Sequence, residues 1–347
     1  MSNLQIGLAI AGGVVLAAVV AHGAWSARKA APRQAVPEPL AQEDAAPQEP
    51  VLGEHATGDA GTSTWSGMNQ RRASLDALID VIATVTLDGA HAVVSGEAAL
   101  AAMPSTRRAG SKPYTIEACN QLTQAWELPQ PGQRYSAFQA GVQLANRSGA
   151  LNEIEFSEFV MKTQAFADAL GAAPEFPDML EEVARARELD QFASAHDAQL
   201  GFTIRARSAS WSTGFVQQHA ARLGFVPGVL PGRMVLPASV EGAAPVLVLS
   251  FDAQAALADD ASHAAVREVA LHLDVAQVDR AERPFVRMRE AALALAQAMD
   301  GVVTDDNGQP LTSDVMDVIG SELESLYDAL EQRDLAAGST LARRLFA

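Results

Sequence analysis

After residue 72, some segments of the chain have apolar residues at strand spacing and others have them at helical spacing. β-Branched and alternating segments predict strands in two groups, 78–87, 112–118 and 135–145, then 201–207, 225–230, 233–237, 245–251, 268–275 and 302–304. Helical spacing predicts helices at 95–103, 152–170, 177–192, 213–223, 284–299 and 313–332. Runs of strands with few helices favour an α+β fold, with a largely antiparallel sheet and helices packed on one face.

The first residues form the longest apolar run of the chain. Between Leu4 and Trp25, only Gln5 and His22 are strongly polar, and a helix of this length is about 33 Å long. That length spans a hydrocarbon core of about 30 Å, so residues 1–26 are predicted to form a transmembrane helix that contacts the membrane through residues 4–25. The alternative is a cleavable signal peptide with an atypical start.

The basic residues next to this run predict its orientation. Arg28, Lys29 and Arg33 follow the apolar segment, whereas a cleavable signal carries its positive charge before it. By the positive-inside rule, the N-terminus is expected to be periplasmic and the rest of the chain cytoplasmic.

Residues 27–72 are predicted to be a disordered linker. From residue 34 to residue 70 there is no Lys or Arg, and Pro, Gly and acidic residues dominate. Such a composition buries too little apolar surface to offset the entropy of ordering. A flexible chain of this length has a root-mean-square reach of roughly 35 Å.

The remaining chain is long enough for two domains. We expect an α+β domain at 73–198, a second domain at 199–335 and a tail at 336–347. The two domains are predicted to be divergent tandem copies or two unrelated α+β domains. FADALG at 166–171 and LAQAMD at 295–300 each lie late in a helix that follows a strand, and their slight identity leaves both alternatives open.

Charge and chemistry narrow the function. The net charge of −17 argues against a nucleic-acid partner, whose binding needs Lys and Arg on phosphates. The single cysteine, Cys119, rules out an internal disulfide. The histidines lack metal-ligand spacing, and the chain has no GxSxG and no P-loop. We therefore predict no enzyme activity, no metal, no cofactor and no small-molecule substrate.

The acidic turn at 305–308 resembles a calcium loop only at its start, because Met316 stands where the bidentate Glu would lie.

Three segments carry a family resemblance, namely AHGAWSARK at 21–29, FVQQHAARLGFVPGVL at 215–230 and LAQAMDGVVTDDNGQPLT at 295–312. In this order, after an N-terminal anchor and a Pro-rich linker, they resemble the ZipA family of membrane-anchored bacterial cell-division proteins. The resemblance implies an inner-membrane protein of the division septum. Its domain at 199–335 would bind the C-terminal tail of FtsZ in an apolar groove on the solvent-facing side of the sheet.

The expected groove face follows from alternation. On the strand GFTIRAR, Phe202 and Ile204 should face the helices, leaving Thr203 and Arg205 outward. On the strand EVALHLDV, His272 should also point outward. These polar positions leave two alternatives open: a shift of register by one residue, which would exchange the faces, or a different or more acidic tail. Arg205 and Arg207 could pair with a carboxylate of such a tail, or they are solvated arginines on an open face.

The resemblance adds two apolar positions to this face. Leu230 and Phe251 match positions at which the family has apolar groove residues. Two other functions also remain open. One is a membrane-anchored envelope protein or enzyme that faces the periplasm, and the other is an adaptor that binds a different partner through residues 73–198.

Overall fold

The computed structural model describes residues 33–34, 75–89, 92–258 and 264–347. The predicted transmembrane helix at 1–26 and nearly all of the predicted linker lie outside these ranges. Within the described ranges, no helix combines the length and the apolar character needed to cross a membrane. The described chain forms two compact units, divided between residues 195 and 196. We call them the N-terminal unit and the C-terminal unit, and the C-terminal unit includes Arg33 and Gln34.

The N-terminal unit is built around an antiparallel sheet. Its elements are β1 (Asp80–Leu87), β2 (Val94–Ser95), α1 (Gly96–Ala102), β3 (Arg108–Ala109), β4 (Lys112–Asn120), β5 (Trp126–Glu127), β6 (Arg134–Gln143), β7 (Ala145–Asn146), β8 (Gly149–Ala150), α2 (Glu153–Leu170), β9 (Ala172–Glu175) and α3 (Met179–His196). The strand order is β3-β4-β6-β1-β9, while β2 pairs with β6 and β5 with β4.

Helix α2 supplies one side of the core of this unit. A capping box starts it, in which Asn152 accepts from the backbone of Glu155 and the Glu155 carboxylate accepts from the backbone of Asn152. Its buried face presents Phe166, which packs edge-to-face on Phe138 of β6 with ring centroids 5.3 Å apart. The helix ends at Gly171 in the left-handed conformation, and β9 begins at the next residue.

The C-terminal unit contains a six-stranded antiparallel sheet. Its elements are β10 (Gln199–Ala206), β11 (Trp211–Ser212), α4 (Thr213–Arg222), β12 (Val226–Pro227), β13 (Arg233–Leu236), β14 (Leu247–Ser250), α5 (Ala253–Leu257), β15 (Ala265–Val266), β16 (Glu268–Asp274), α6 (Pro284–Met299), β17 (Gly301–Thr304), α7 (Ser313–Glu331) and α8 (Thr340–Leu345). The strand order is β12-β13-β14-β16-β10-β17, and β11 pairs separately with β15.

Helix α6 covers the inner face of this sheet, against β10, β16 and β17. Pro284 occupies its first turn, where a missing N–H costs nothing. Phe285 of α6 meets Phe202 of β10 with ring centroids 6.2 Å apart. We call the opposite face of the sheet the outer face.

A short segment before the N-terminal unit also belongs to the C-terminal unit. Arg33 forms a parallel β-bridge beside Trp211, because its N–H donates to the carbonyl of Ser210 and its carbonyl accepts from the N–H of Ser212, both at 2.7 Å. Its Nη2 lies 2.7 Å from Oδ2 of Asp300, the left-handed residue that ends α6. Arg33 is thus held by both backbone and side chain.

The predicted α+β class with antiparallel sheets is confirmed. The strand expected at 225–230 is shortened to Val226–Pro227, because the chain turns back through Gly232, whose φ of 71° suits glycine. Within the expected tail, residues 340–345 form helix α8, and Leu345 and Phe346 are buried.

Candidate functional site

The outer face of the C-terminal sheet has the side chains that alternation predicts. Phe202 and Ile204 are buried under the helices, whereas Thr203 is half-buried and Arg205 is exposed on the other face. On the paired strand β16, Leu271 is buried. The register of the two strands is therefore the expected one, and no one-residue shift occurs.

His272 lies on the outer face of β16 and is exposed. Its Nε2 is 3.1 Å from Oγ of Ser250 on the neighbouring strand β14, so the two side chains form a polar pair across the sheet. Imidazole and hydroxyl can each donate or accept at this distance. This pair can therefore bind a peptide N–H or C=O.

A groove of about 630 Å³ crosses the outer face next to this pair, and we call it the His272 groove. Its floor includes Gly201, Val248 and His272, on three adjacent strands. A Cβ atom on Gly201 would lie 3.1 Å from Oδ1 of Asp306, so any other residue there would crowd the groove. The remaining lining residues are Gln199, Leu200, Arg233, Ala244, Pro245, Val246, Ser250, Leu273, Asp274, Gln277 and Asp306.

A second groove of about 600 Å³, the Phe251 groove, lies along the same face. Thr203, Ser250, Phe251 and Ala270 line it, together with residues 252 and 265–268. Since Ser250 lines both grooves, they are adjacent.

The expected arginine pair is engaged within the protein. Nε of Arg205 lies 3.4 Å from Oε2 of Glu268 on the paired strand, with both side chains well exposed. Nε of Arg207 donates to the carbonyl of Gly301 at 3.0 Å. The His272 groove itself has Arg233 but also two acids in its lining. The site therefore has mixed charge and does not present a cationic patch.

The two apolar positions predicted from the resemblance differ in their surroundings. Phe251 is only 9% exposed, so its ring belongs mostly to the core, although it lines the Phe251 groove. Leu230 is 59% exposed on the turn between β12 and β13, at the edge of the sheet. It lines neither groove, so the structure does not bring Leu230 together with Thr203 and His272.

The acidic turn after β17 is a backbone turn. Oδ1 of Asp305 accepts from the N–H of Asn307 at 2.9 Å and from that of Gln309 at 2.7 Å. Across residues 33–34, 75–89, 92–258 and 264–347, no three His, Cys, Asp or Glu side chains cluster as metal ligands do.

Sequence reasoning missed the two residues that shape the His272 groove, Gly201 and Val248. Val248 could have been found, since Leu247 and Leu249 on either side are fully buried and alternation leaves it outward. Gly201 carries a weaker signal, because a glycine inside a strand pattern indicates close approach without saying by what.

Comparison with known proteins gives one family. Residues 252–321 match the family model described as ZipA, C-terminal FtsZ-binding domain. The match runs from α5 to the middle of α7 and includes β16 with His272. It confirms the predicted resemblance to the ZipA family. No curated protein matches the chain.

Proposed function

We propose, on the premise that the C-terminal unit contains a ZipA C-terminal FtsZ-binding domain, that this chain is a cell-division adaptor that captures the C-terminal tail of FtsZ. The family match at residues 252–321 carries the proposal. It indicates a cell-division function through FtsZ binding and a family of non-enzymatic adaptors.

The tail is proposed to lie in the His272 and Phe251 grooves of the outer face. Thr203, Ser250 and His272 supply polar groups for its backbone, and Val248 and Phe251 supply apolar contacts. Recognition of this kind depends on burying apolar side chains of the peptide and pairing its backbone. Because Arg205 is already paired with Glu268, the binding should depend little on salt.

The test is a titration of the full chain with a labelled FtsZ tail peptide. Val248→Asp places a charge in the His272 groove and is expected to abolish binding. Val286→Asp is the matched control, since Val286 is 37% exposed on α6, which covers the inner face of the sheet. Unchanged affinity in Val248→Asp, with an unchanged melting temperature, would reject this groove.

Leu230 is proposed as an additional contact at the sheet edge. It keeps a large exposed side chain at a position where the family has an apolar residue. A peptide longer than the grooves would reach it across β13.

Membrane attachment is proposed through residues 1–26, with the N-terminus periplasmic and both units cytoplasmic, at the division septum. The apolar run before Arg28, Lys29 and Arg33 supports this topology. Deleting residues 1–26 should move the protein from the membrane to the soluble fraction. Alkaline phosphatase activity of a C-terminal fusion would contradict the cytoplasmic orientation.

The N-terminal unit is proposed to be a divergent second copy of the C-terminal unit. In the N-terminal unit the first long strand, β1, lies between β6 and β9, and in the C-terminal unit the first long strand, β10, lies between β16 and β17. The long helix connects the two outer strands of each trio. The long helices α2 and α6 both end at a left-handed residue that a four-residue strand follows directly. Ser95 and Ser212 cap the helices α1 and α4 that follow the short strands β2 and β11.

A further inference from the structure

We propose that the outer face of the sheet in the N-terminal unit is a second peptide-binding groove, and that Leu75 of the chain itself occupies it. The inference rests on the proposed duplication and on the proposed role of the outer face in the C-terminal unit. Three observations carry it: the register of the two sheets, the space above one glycine, and a buried carboxylate.

The two sheets can be aligned residue by residue through their hydrogen-bonded pairs. The four-residue strand β9 ends at Glu175, which pairs with Thr84 of β1. The four-residue strand β17 ends at Thr304, which pairs with Thr203 of β10. Thr84 therefore occupies the position of Thr203.

The alignment extends to the next strand. Thr84 pairs with Gln139 of β6, and Thr203 pairs with Ala270 of β16. Two residues further along β6 and β16, Gly141 occupies the position of His272. The centre of the His272 groove thus corresponds, in the N-terminal unit, to the space above Gly141.

The side chain of Leu75 fills that space. A Cβ atom on Gly141 would lie 2.3 Å from Cδ2 of Leu75, which is far inside contact distance. The φ of Gly141 lies outside the left-handed region, so the backbone does not require glycine there. Close approach of Leu75 is the reason that only glycine fits.

The backbone of the same residue is also held. The N–H of Leu75 donates to Oε1 of Glu117 at 3.0 Å. Glu117 has no exposed surface, and its Oε2 accepts from Nε2 of Gln139 at 2.8 Å. On the strand β4, Glu117 holds the position of Ser250, the partner of His272, because Glu117 pairs with Gln139 as Ser250 pairs with Ala270.

A bound extended peptide is expected to make two contacts. One of its apolar side chains packs on the sheet, and one of its backbone N–H groups donates to a polar side chain. In the N-terminal unit the chain makes both by itself. A segment attached to the same chain competes at a high effective concentration, of the order of millimolar for short flexible linkers. Leu75 would therefore close this groove to a free peptide.

The first test counts FtsZ tail peptides bound to the full chain by calorimetry. The unaltered chain is expected to bind one tail and Leu75→Ser to bind two. Leu78→Ser is the matched control and should bind one, since Leu78 is 36% exposed and does not lie among the atoms nearest to Gly141. If the C-terminal groove is wrongly assigned, the unaltered chain binds none while Leu75→Ser still binds one, so the two proposals fail separately.

The second test leaves Leu75 in place. Gly141→Ala is expected to expel the side chain of Leu75 from the space above residue 141. The hydrogen-exchange rate of the Leu75 amide should then rise by about tenfold or more, and a second FtsZ tail should bind. Glu117→Gln keeps the size of the carboxylate and should leave Leu75 on Gly141. If Leu75→Ser and Gly141→Ala both fold and both bind as many tails as the unaltered chain, the second groove is rejected.

Discussion

Truncation of Phe251 and of Leu230 to Ala should lower the free energy of unfolding by different amounts, because Phe251 is nearly buried and Leu230 is exposed. Phe251 is 9% exposed, and truncation of a buried Phe to Ala costs about 3–5 kcal/mol of unfolding free energy. Leu230 is 59% exposed, so Leu230→Ala loses less than half of the roughly 2–3 kcal/mol that full burial of a Leu contributes, or about 1 kcal/mol. For a folded unit of roughly 150–250 residues, each kcal/mol shifts the melting temperature by about 2–4 °C.

The assay is a thermal melt of both variants, combined with titration of the FtsZ tail peptide. Phe251→Ala is expected to melt roughly 6–20 °C lower, and Leu230→Ala at most about 4 °C lower. If Leu230 contacts the tail, its loss should weaken binding about five- to 150-fold. A melting shift in Leu230→Ala as large as that in Phe251→Ala would refute the reasoning from exposure. An unchanged melt with unchanged binding would remove Leu230 from the site.

Two further predictions concern buried tyrosines and the docked arginine. Burial raises the pKa of Tyr114 and of Tyr135 to about 12, and it also raises the pKa of Tyr327, so all three tyrosines should resist ionisation while the protein is folded. Since an unfolded Tyr ionises near pH 10, the free energy of unfolding should fall as the pH rises from about 10 to about 12. Tyrosinate absorbance that appears near pH 10 without loss of the circular dichroism signal would contradict this expectation. Asn tolerates the left-handed backbone, so Asp300→Asn should remove the ion pair with Arg33 and leave the end of α6 intact. Tryptic cleavage after Arg33 should then become several-fold faster relative to cleavage after Lys29. An unchanged ratio of the two cleavage rates would show that the ion pair does not hold the segment.

Local patterns predicted the elements whose ends are determined locally. Helix α6 begins and ends where the sequence predicts, because Pro284 starts it and an apolar stripe continues to Met299. The faces of β10 and β16 were also predictable, since alternation along a half-buried strand leaves one choice of register. The same reasoning identified Thr203, Arg205 and His272 as outward residues before any groove was visible.

The groove itself and the short elements depend on distant parts of the chain. The side chain nearest to Gly201 is Asp306, which follows β17 and lies far away in sequence, so no local pattern specifies this contact. Helix α8 is short, and its stability comes from burying Leu345 and Phe346 in the C-terminal unit. The contact between Leu75 and Gly141 joins residues far apart in sequence, and glycine alone does not indicate what fills the space above it.

The docking of Arg33 changes how far the C-terminal unit can move from the start of the chain. Because Arg33 lies on that unit through its backbone and through Asp300, only residues 27–33 separate the unit from residue 26. An extended peptide of that length spans about 25 Å at most. Whatever holds residue 26 therefore holds the C-terminal unit within that distance, and residues 35–195 connect two points of the same unit. Lengthening or shortening the predicted linker after Arg33 is then expected to leave the reach of the C-terminal unit unchanged.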